Sequence, residues 1–276
     1  MEWRDEDPVA GADPPLEVIR TGEPSRRPAL LFVHGAFCGA WVWAEHFLPF
    51  FAQEGWRCIA VSLRGHGRSA GREQLDRFGI ADYVADAALA AAGLERPPVV
   101  IGHSMGAIVA QRFAQEHEAS GLALLSPASL AGLGGSFAHM SLRDPNLLRE
   151  LNRVQSSGVQ AANYEAIRRG LFSADFPVEL ALRYRRLFQQ ESFRANLELM
   201  VPQWFPFMGR PRLPALVLVG AVDRFVPTAD LQLTSLHRNA ELHVLDEVPH
   251  AMMLDTTWRL PAGIIADWLK RSFDRS

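Results

Sequence analysis

The sequence has 276 residues but only two cysteines, Cys38 and Cys58, and one lysine, Lys270, among 28 basic residues. So few cysteines imply no disulfide framework. No HExxH run, Cys/His cluster or acidic ligand array offers metal-binding spacing, and no cofactor is expected. No apolar run approaches the roughly 20 residues of a membrane span. A net charge of -3 leaves no basic footprint for nucleic acid. The scattered arginines read mostly as solvated surface. The first residues, MEWRDEDPVAGADPP, are acidic and Pro-rich and lack the basic and apolar regions of a signal peptide. They read as a loose tail on a cytoplasmic protein. Repeats and low-complexity blocks are absent as well. What is plentiful is apolar material, 48% of the chain. That is enough for a large core in one domain with an insertion, or in two small domains.

The apolar residues are arranged in alternating blocks. ALLFVHG (29–35), RCIAVSL (57–63), PVVIG (98–102), GLALLSPAS (121–129), PALVLVG (214–220) and ELHVLDEV (241–248) read as strands. IADYVADAALAAAGL (80–94), Met105 to His117 and LPAGIIADWLKRSF (260–273) read as helices. Continuous apolar strands alternating with helices indicate an α/β fold, a doubly wound and mostly parallel sheet covered on both faces. From residue 128 to residue 213 no convincing strand appears, which is too long for a bare loop. Apolar spacing there is helical: Leu147, Leu148, Leu151, Val154; then Tyr164, Ile167, Leu171, Phe172; then two further sets to Val201. The expected organisation is a core of residues 1–127 and 214–276 with a helical cap of residues 128–213. That cap would emerge at the carboxyl ends of the strands, where open α/β sheets bind ligands.

One stretch raises a chemical question. PPVVIGHSMGAIVAQRFA (97–114) runs from a strand through Gly102-His103-Ser104-Met105-Gly106 into a helix. G-x-S-x-G between a strand and a helix lifts a serine hydroxyl clear of the sheet, at the positive end of the helix. The plainer alternative is a capping serine in an ordinary turn. A serine hydroxyl becomes a useful nucleophile only when a base takes its proton, and the base needs a carboxylate to orient it. In this architecture the chain order is Ser, Asp or Glu, then His. Asp223 lies just past PALVLVG and His250 just past ELHVLDEV, both on the sheet edge that carries Ser104. Asp246 is the rival acid. An oxyanion would need backbone donors, and the N–H groups of Met105 and Ala36 are the candidates. Phe37 would wall the pocket, and His34 would order the turn. Phe137, Met140, Trp204, Phe205, Phe207 and Met252 are further candidates for an apolar substrate wall. The competing expectation is a carboxylate-bearing substrate held by Arg168, Arg183, Arg186 or Arg194.

HGAFCGAW (34–41), LRGHGRS (63–69), GHSMG (102–106), VDRFVP (222–227) and PHAMMLD (249–255) together resemble α/β-hydrolase-fold serine hydrolases of the esterase-like type with a helical cap. The resemblance implies a Ser104–His250–Asp223 triad with an oxyanion hole at Ala36 and Met105. Ser62 departs from it, since relatives often carry Asp there. Haloalkane dehalogenases and epoxide hydrolases resemble this fold but use an aspartate nucleophile where this chain has Ser104. Hydroxynitrile lyases place a lysine beside the catalytic histidine, whereas here Ala251 follows His250 and Lys270 lies in the last helix. Ala251 also departs from the Trp usual in C–C hydrolases of aromatic-ring breakdown. The expected activity is hydrolysis of a small to medium uncharged ester, thioester or lactone through an acyl-enzyme. C–C hydrolysis or perhydrolysis on the same triad is the alternative. A non-catalytic ligand-binding relative would be expected to lose a triad residue.

Overall fold

The computed structural model describes residues 15–203 and 213–274. Seven strands form one sheet: β1 Val18–Thr21, β2 Leu30–Val33, β3 Cys58–Val61, β4 Val99–His103, β5 Gly121–Leu125, β6 Ala215–Gly220 and β7 Glu241–Leu245. Their order across the sheet is β1-β3-β2-β4-β5-β6-β7. All neighbours are parallel except β1, which runs antiparallel to β3 at one edge. Every residue of β2 through β6 is buried, as continuous apolar runs covered on both faces require. One core lies on each face. Trp43, Phe47, Phe51 and Trp268 fill one; Tyr83, Val109, Phe113 and Leu231 fill the other.

β1 escapes the strand reading of the sequence. It has four residues and a half-buried pattern, so neither a continuous apolar run nor a clear alternation marks it. Between β5 and β6 the described residues form helices at Gly134–Arg143, Pro145–Ser157, Tyr164–Leu171, Val178–Arg185 and Phe193–Met200, and no strand. Among the described residues no helix is long and apolar enough to cross a membrane.

The sharpest constraint lies where β4 meets the helix Met105–Glu116. β4 is central, paired with β2 on one side and β5 on the other. A Cβ on Gly102 would lie 2.7 Å from the Ala107 Cα and would collide with the Gly106 carbonyl. A Cβ on Gly106 would collide with the carbonyl oxygens of Val33 and His34. The turn therefore closes only with glycine at both positions. Gly106→Ala should destabilise the fold by about 1–3 kcal/mol, because the neighbouring atoms are backbone of a central strand and cannot yield. Gly263 lies in the helix Arg259–Phe273 with open space around its Cα. Gly263→Ala should be neutral or stabilising by about 0.5–1 kcal/mol. Urea unfolding of the two variants tests the contrast, and equal midpoints would refute it.

Candidate active site

Ser104 is the residue between β4 and its following helix, with φ 52° and ψ -117°. A non-glycine residue at positive φ is strained, and persists only where its surroundings hold it. They do so here on both sides. The Ser104 N–H donates to the Leu125 carbonyl at 3.0 Å, and the Ser104 carbonyl accepts from Ala107 at 3.0 Å and Ala128 at 3.1 Å. Met105 is the first residue of the helix, so its N–H lacks an intrahelical partner.

His250 and Asp223 are brought together past the carboxyl ends of β7 and β6. His250 Nδ1 lies 2.7 Å from Asp223 Oδ2, and the pair is buried. The other carboxylate oxygen, Oδ1, accepts from the backbone N–H of Phe225 at 2.8 Å and of Val226 at 3.2 Å. Burial works against ionisation of Asp223. The neighbouring His250 and these hydrogen bonds outweigh it and hold the carboxyl below its usual range. Asp246, the rival acid, is exposed beyond the end of β7. Ser104 and His250 line one cavity. Among the described residues no hydrogen bond joins the hydroxyl to the imidazole.

Two more histidines are buried nearby, and burial holds both neutral. His34 Nδ1 lies 2.8 Å from the Gly35 carbonyl, while its Nε2 accepts from the Leu63 N–H at 3.0 Å. Nδ1 therefore carries the hydrogen. Burial, reinforced by His66, pushes His34 down to about 3. Its bond holds the peptide whose N–H belongs to Ala36. His103 Nε2 lies 3.0 Å from the His250 carbonyl, so Nε2 carries the hydrogen and anchors the His250 backbone. Its ring packs on His250 with centroids 4.7 Å apart. Burial, with His250 adding to it, pushes His103 to about 3 as well. His103 is a contributor that the sequence conceals, because its contact is with a residue 147 positions away.

The cavity has a volume of about 460 Å³, in the range of small-molecule sites. Ala36, Phe37, Ser104, Met105, Phe137, Met140 and His250 all line it. Met252 does not. It is fully buried in the core, and the neighbouring Met253 reaches the cavity instead. The turn after His250 sets that phase, which no periodicity in the sequence reports. Trp204, Phe205 and Phe207 lie outside the described residues. None of Arg168, Arg183, Arg186 and Arg194 lines the cavity. Arg168 pairs with Glu165, Arg183 with Glu45 and Arg194 with Glu198. Among the described lining residues there is no Arg, Lys, Asp or Glu. Polar groups are few, and one stands out. The Ser136 hydroxyl is buried in the wall with no hydrogen-bond partner.

Ser62 sits beside this site, at the end of β3. Its hydroxyl donates to Glu17 Oε2 at 2.5 Å and accepts from the Ala40 N–H at 2.8 Å. A carboxylate is thus present in this corner, supplied by Glu17 just before β1.

A family model described as the alpha/beta hydrolase family matches residues 30–259, and the chain belongs to that family. Epoxide hydrolase A of Mycobacterium tuberculosis is 34% identical over 96 residues, covering 34% of this chain and 29% of that relative. The chain therefore aligns with less than a third of the length of that curated relative. Two solved structures share the fold over nearly their whole length. A thermophilic esterase from Thermogutta terrifontis aligns at TM-score 0.73 with 20% identity, covering 98% of this chain and 99% of that one. The 2-hydroxy-6-oxo-6-phenylhexa-2,4-dienoate hydrolase of Rhodococcus sp. strain RHA1 aligns at TM-score 0.73 with 23% identity, covering 96% and 97%.

The burial of His34 and His103 has a direct readout. In an NMR histidine titration, neither imidazole should change protonation between roughly pH 5 and 8, where an unperturbed histidine titrates. Titration of either ring in that window would show that burial does not hold it neutral.

Proposed function

We propose that this protein is a serine hydrolase that cleaves esters of uncharged, mainly apolar acyl groups through an acyl-enzyme. One observation carries the reading. A strained, glycine-flanked serine and a carboxylate-held histidine open onto one cavity whose described lining bears no charged side chain. In this reading His250 Nε2 takes the Ser104 proton as Oγ attacks the ester carbonyl carbon. Asp223 holds Nδ1–H and so fixes the tautomer and stabilises the imidazolium. The N–H groups of Ala36 and Met105 hold the oxyanion. The tetrahedral intermediate collapses, His250 passes the proton to the departing alkoxide, and a water repeats the sequence to release the acid. The serine–histidine hydrogen bond closes on substrate binding, as such bonds often do. Residues 128–213 act as the cap, supplying most of the apolar wall, and Ser136 offers a hydroxyl to one polar substituent of the acyl group.

Two other activities carry less support. Epoxide hydrolysis meets Ser104 where that resemblance calls for aspartate. C–C hydrolysis of the kind named for the Rhodococcus enzyme acts on a dienoate, an anion. Among the described residues the cavity offers no cationic side chain to receive it.

Three outcomes are expected. A fluorophosphonate probe should label the wild-type protein and not Ser104→Ala, and that variant should lose ester hydrolysis with its fold intact; labelling of the variant at wild-type rate would remove Ser104 from its role. Asp223→Asn should lower kcat by several orders of magnitude, on the order of 10⁴-fold, while Asp246→Asn leaves it within about threefold of wild type. The reverse ranking would reassign the acid. On p-nitrophenyl esters kcat/KM should rise from acetate to butyrate by up to about 0.8 kcal/mol, roughly fourfold, per methylene. The hemisuccinate should fall below the butyrate. A preference for the hemisuccinate would replace the apolar pocket with a cationic clamp.

A further inference from the structure

We propose that Glu191 is a positioning residue for the oxyanion turn. Its carboxylate captures the Phe37 N–H and thereby fixes the neighbouring peptide that carries the Ala36 N–H. The inference rests on the serine hydrolase reading above.

The turn after β2 is strained. Phe37 has φ 65°, a region unfavourable for a bulky side chain. Three contacts hold it, and all come from residues 154–191. Its N–H donates to Glu191 Oε2 at 3.3 Å. Its carbonyl accepts from the Gln189 N–H at 2.9 Å. Its side chain packs on the buried apolar cluster of Val154, Val159 and Ala162. The next peptide back is held from the other side, because the Gly35 carbonyl accepts from His34 Nδ1. In a trans peptide the N–H points opposite its carbonyl, so this bond also directs the Ala36 N–H. Among the described residues that N–H has no protein acceptor, and Ala36 lines the cavity. The oxyanion donor is thus set between a core clamp at His34 and a cap clamp at Glu191.

Glu191 is built to hold this position. It is fully buried, between the helices Val178–Arg185 and Phe193–Met200. Its Oε2 faces His66 Nε2 at 3.0 Å as well as the Phe37 N–H. Its Oε1 accepts from Tyr83 Oη and from the Ser192 N–H, each at 2.7 Å. Four donors on two oxygens describe an ionised carboxylate. The other nitrogen of His66 lies 3.1 Å from the Arg64 carbonyl, so both ring nitrogens face acceptors. The flanking Gln189 ties the same strap to the loop after β3. Its Oε1 accepts from the Gly67 N–H and its Nε2 donates to the Gly65 carbonyl, each at 2.9 Å. A buried carboxylate is costly unless saturated, and here one of its bonds ends on the peptide beside the candidate oxyanion donor.

The test separates positioning from bulk stability. Steady-state kinetics on p-nitrophenyl butyrate, inhibition by a trifluoromethyl ketone that forms a tetrahedral adduct, and thermal unfolding are measured for wild type, Glu191→Gln and Tyr83→Phe. Glu191→Gln should lower kcat by on the order of 10- to 100-fold, with KM within about twofold. The ketone should weaken by a matching factor, because its adduct needs the same donors. Tyr83→Phe removes a bond to the other carboxylate oxygen; it should lower the unfolding midpoint and leave kcat within about twofold. Where Glu191→Gln does not fold, Glu191→Asp keeps the charge and withdraws the carboxylate by one methylene, and the same split in kcat is expected. An active wild type whose Glu191 variants lose only thermal stability overturns this inference alone, as does an equal kcat loss in Tyr83→Phe. A wild type inert to both the ester and a fluorophosphonate overturns the serine hydrolase reading and this inference with it.

Discussion

Everything at this site hangs on one strained backbone position. Ser104 takes a positive φ at the end of the central strand β4, and the strain is borne by its neighbours rather than relieved. β5 pins its N–H, and the first turn of the following helix and Ala128 pin its carbonyl. Gly102 and Gly106 remove the side chains that would block the close approach of strand, helix and the turn after β2. Gly106 matters twice. It closes the elbow, and it lets the helix press against the carbonyls of Val33 and His34. The turn carrying Ala36 is thereby brought beside Met105. One missing methyl group thus sets both the serine and the distance between the two candidate oxyanion donors.

Buried charge follows a single rule throughout the site. Asp223 and Glu191 are both shut away from water, and each accepts hydrogen bonds on both oxygens. Each faces an imidazole whose far side is anchored or packed by other groups. Desolvation favours the neutral acid in both cases, and the surrounding donors overcome it. The imidazoles without a carboxylate, His34 and His103, are driven the other way and stay neutral. Four histidines in one small volume are therefore sorted by their partners into a structural acceptor, an anchor, a carboxylate partner and a candidate base.

Much of this was legible before any coordinates. The buried strands β2 to β6 announce themselves as apolar runs, and the glycine spacing around Ser104 marks the elbow. The positions of Asp223 and His250 just past two strand ends follow from the same reading. What could not be read is of three physical kinds. β1 is too short and too evenly half-buried to show a period. Met252 and Met253 share one core cluster, and the phase of an irregular turn decides which of them also reaches the cavity. Glu191 and Glu17 are single acids in unremarkable local sequence, and each gains its meaning from partners 45 to 154 residues away. Ser62 is an instance of that last kind: the carboxylate beside it is Glu17, just before β1.

The placement of Glu191 also bears on how such a site divides its labour. Rate and selectivity are often assigned to different parts of a hydrolase, the core for one and the cap for the other. In this chain the stretch that walls the cavity with Val159, Ile167 and Phe188 also holds the backbone of Phe37 through Gln189 and Glu191. Phe37 is wall and turn at once. On the proposed reading, a change in this stretch that reshapes the cavity would also pull on the candidate oxyanion donor at Ala36, and a substrate that packs well against the wall would tighten the same turn. Binding energy from a remote part of an acyl chain would then reach the reacting carbonyl through Phe37, which is how interactions far from the chemistry come to raise kcat rather than only lower KM.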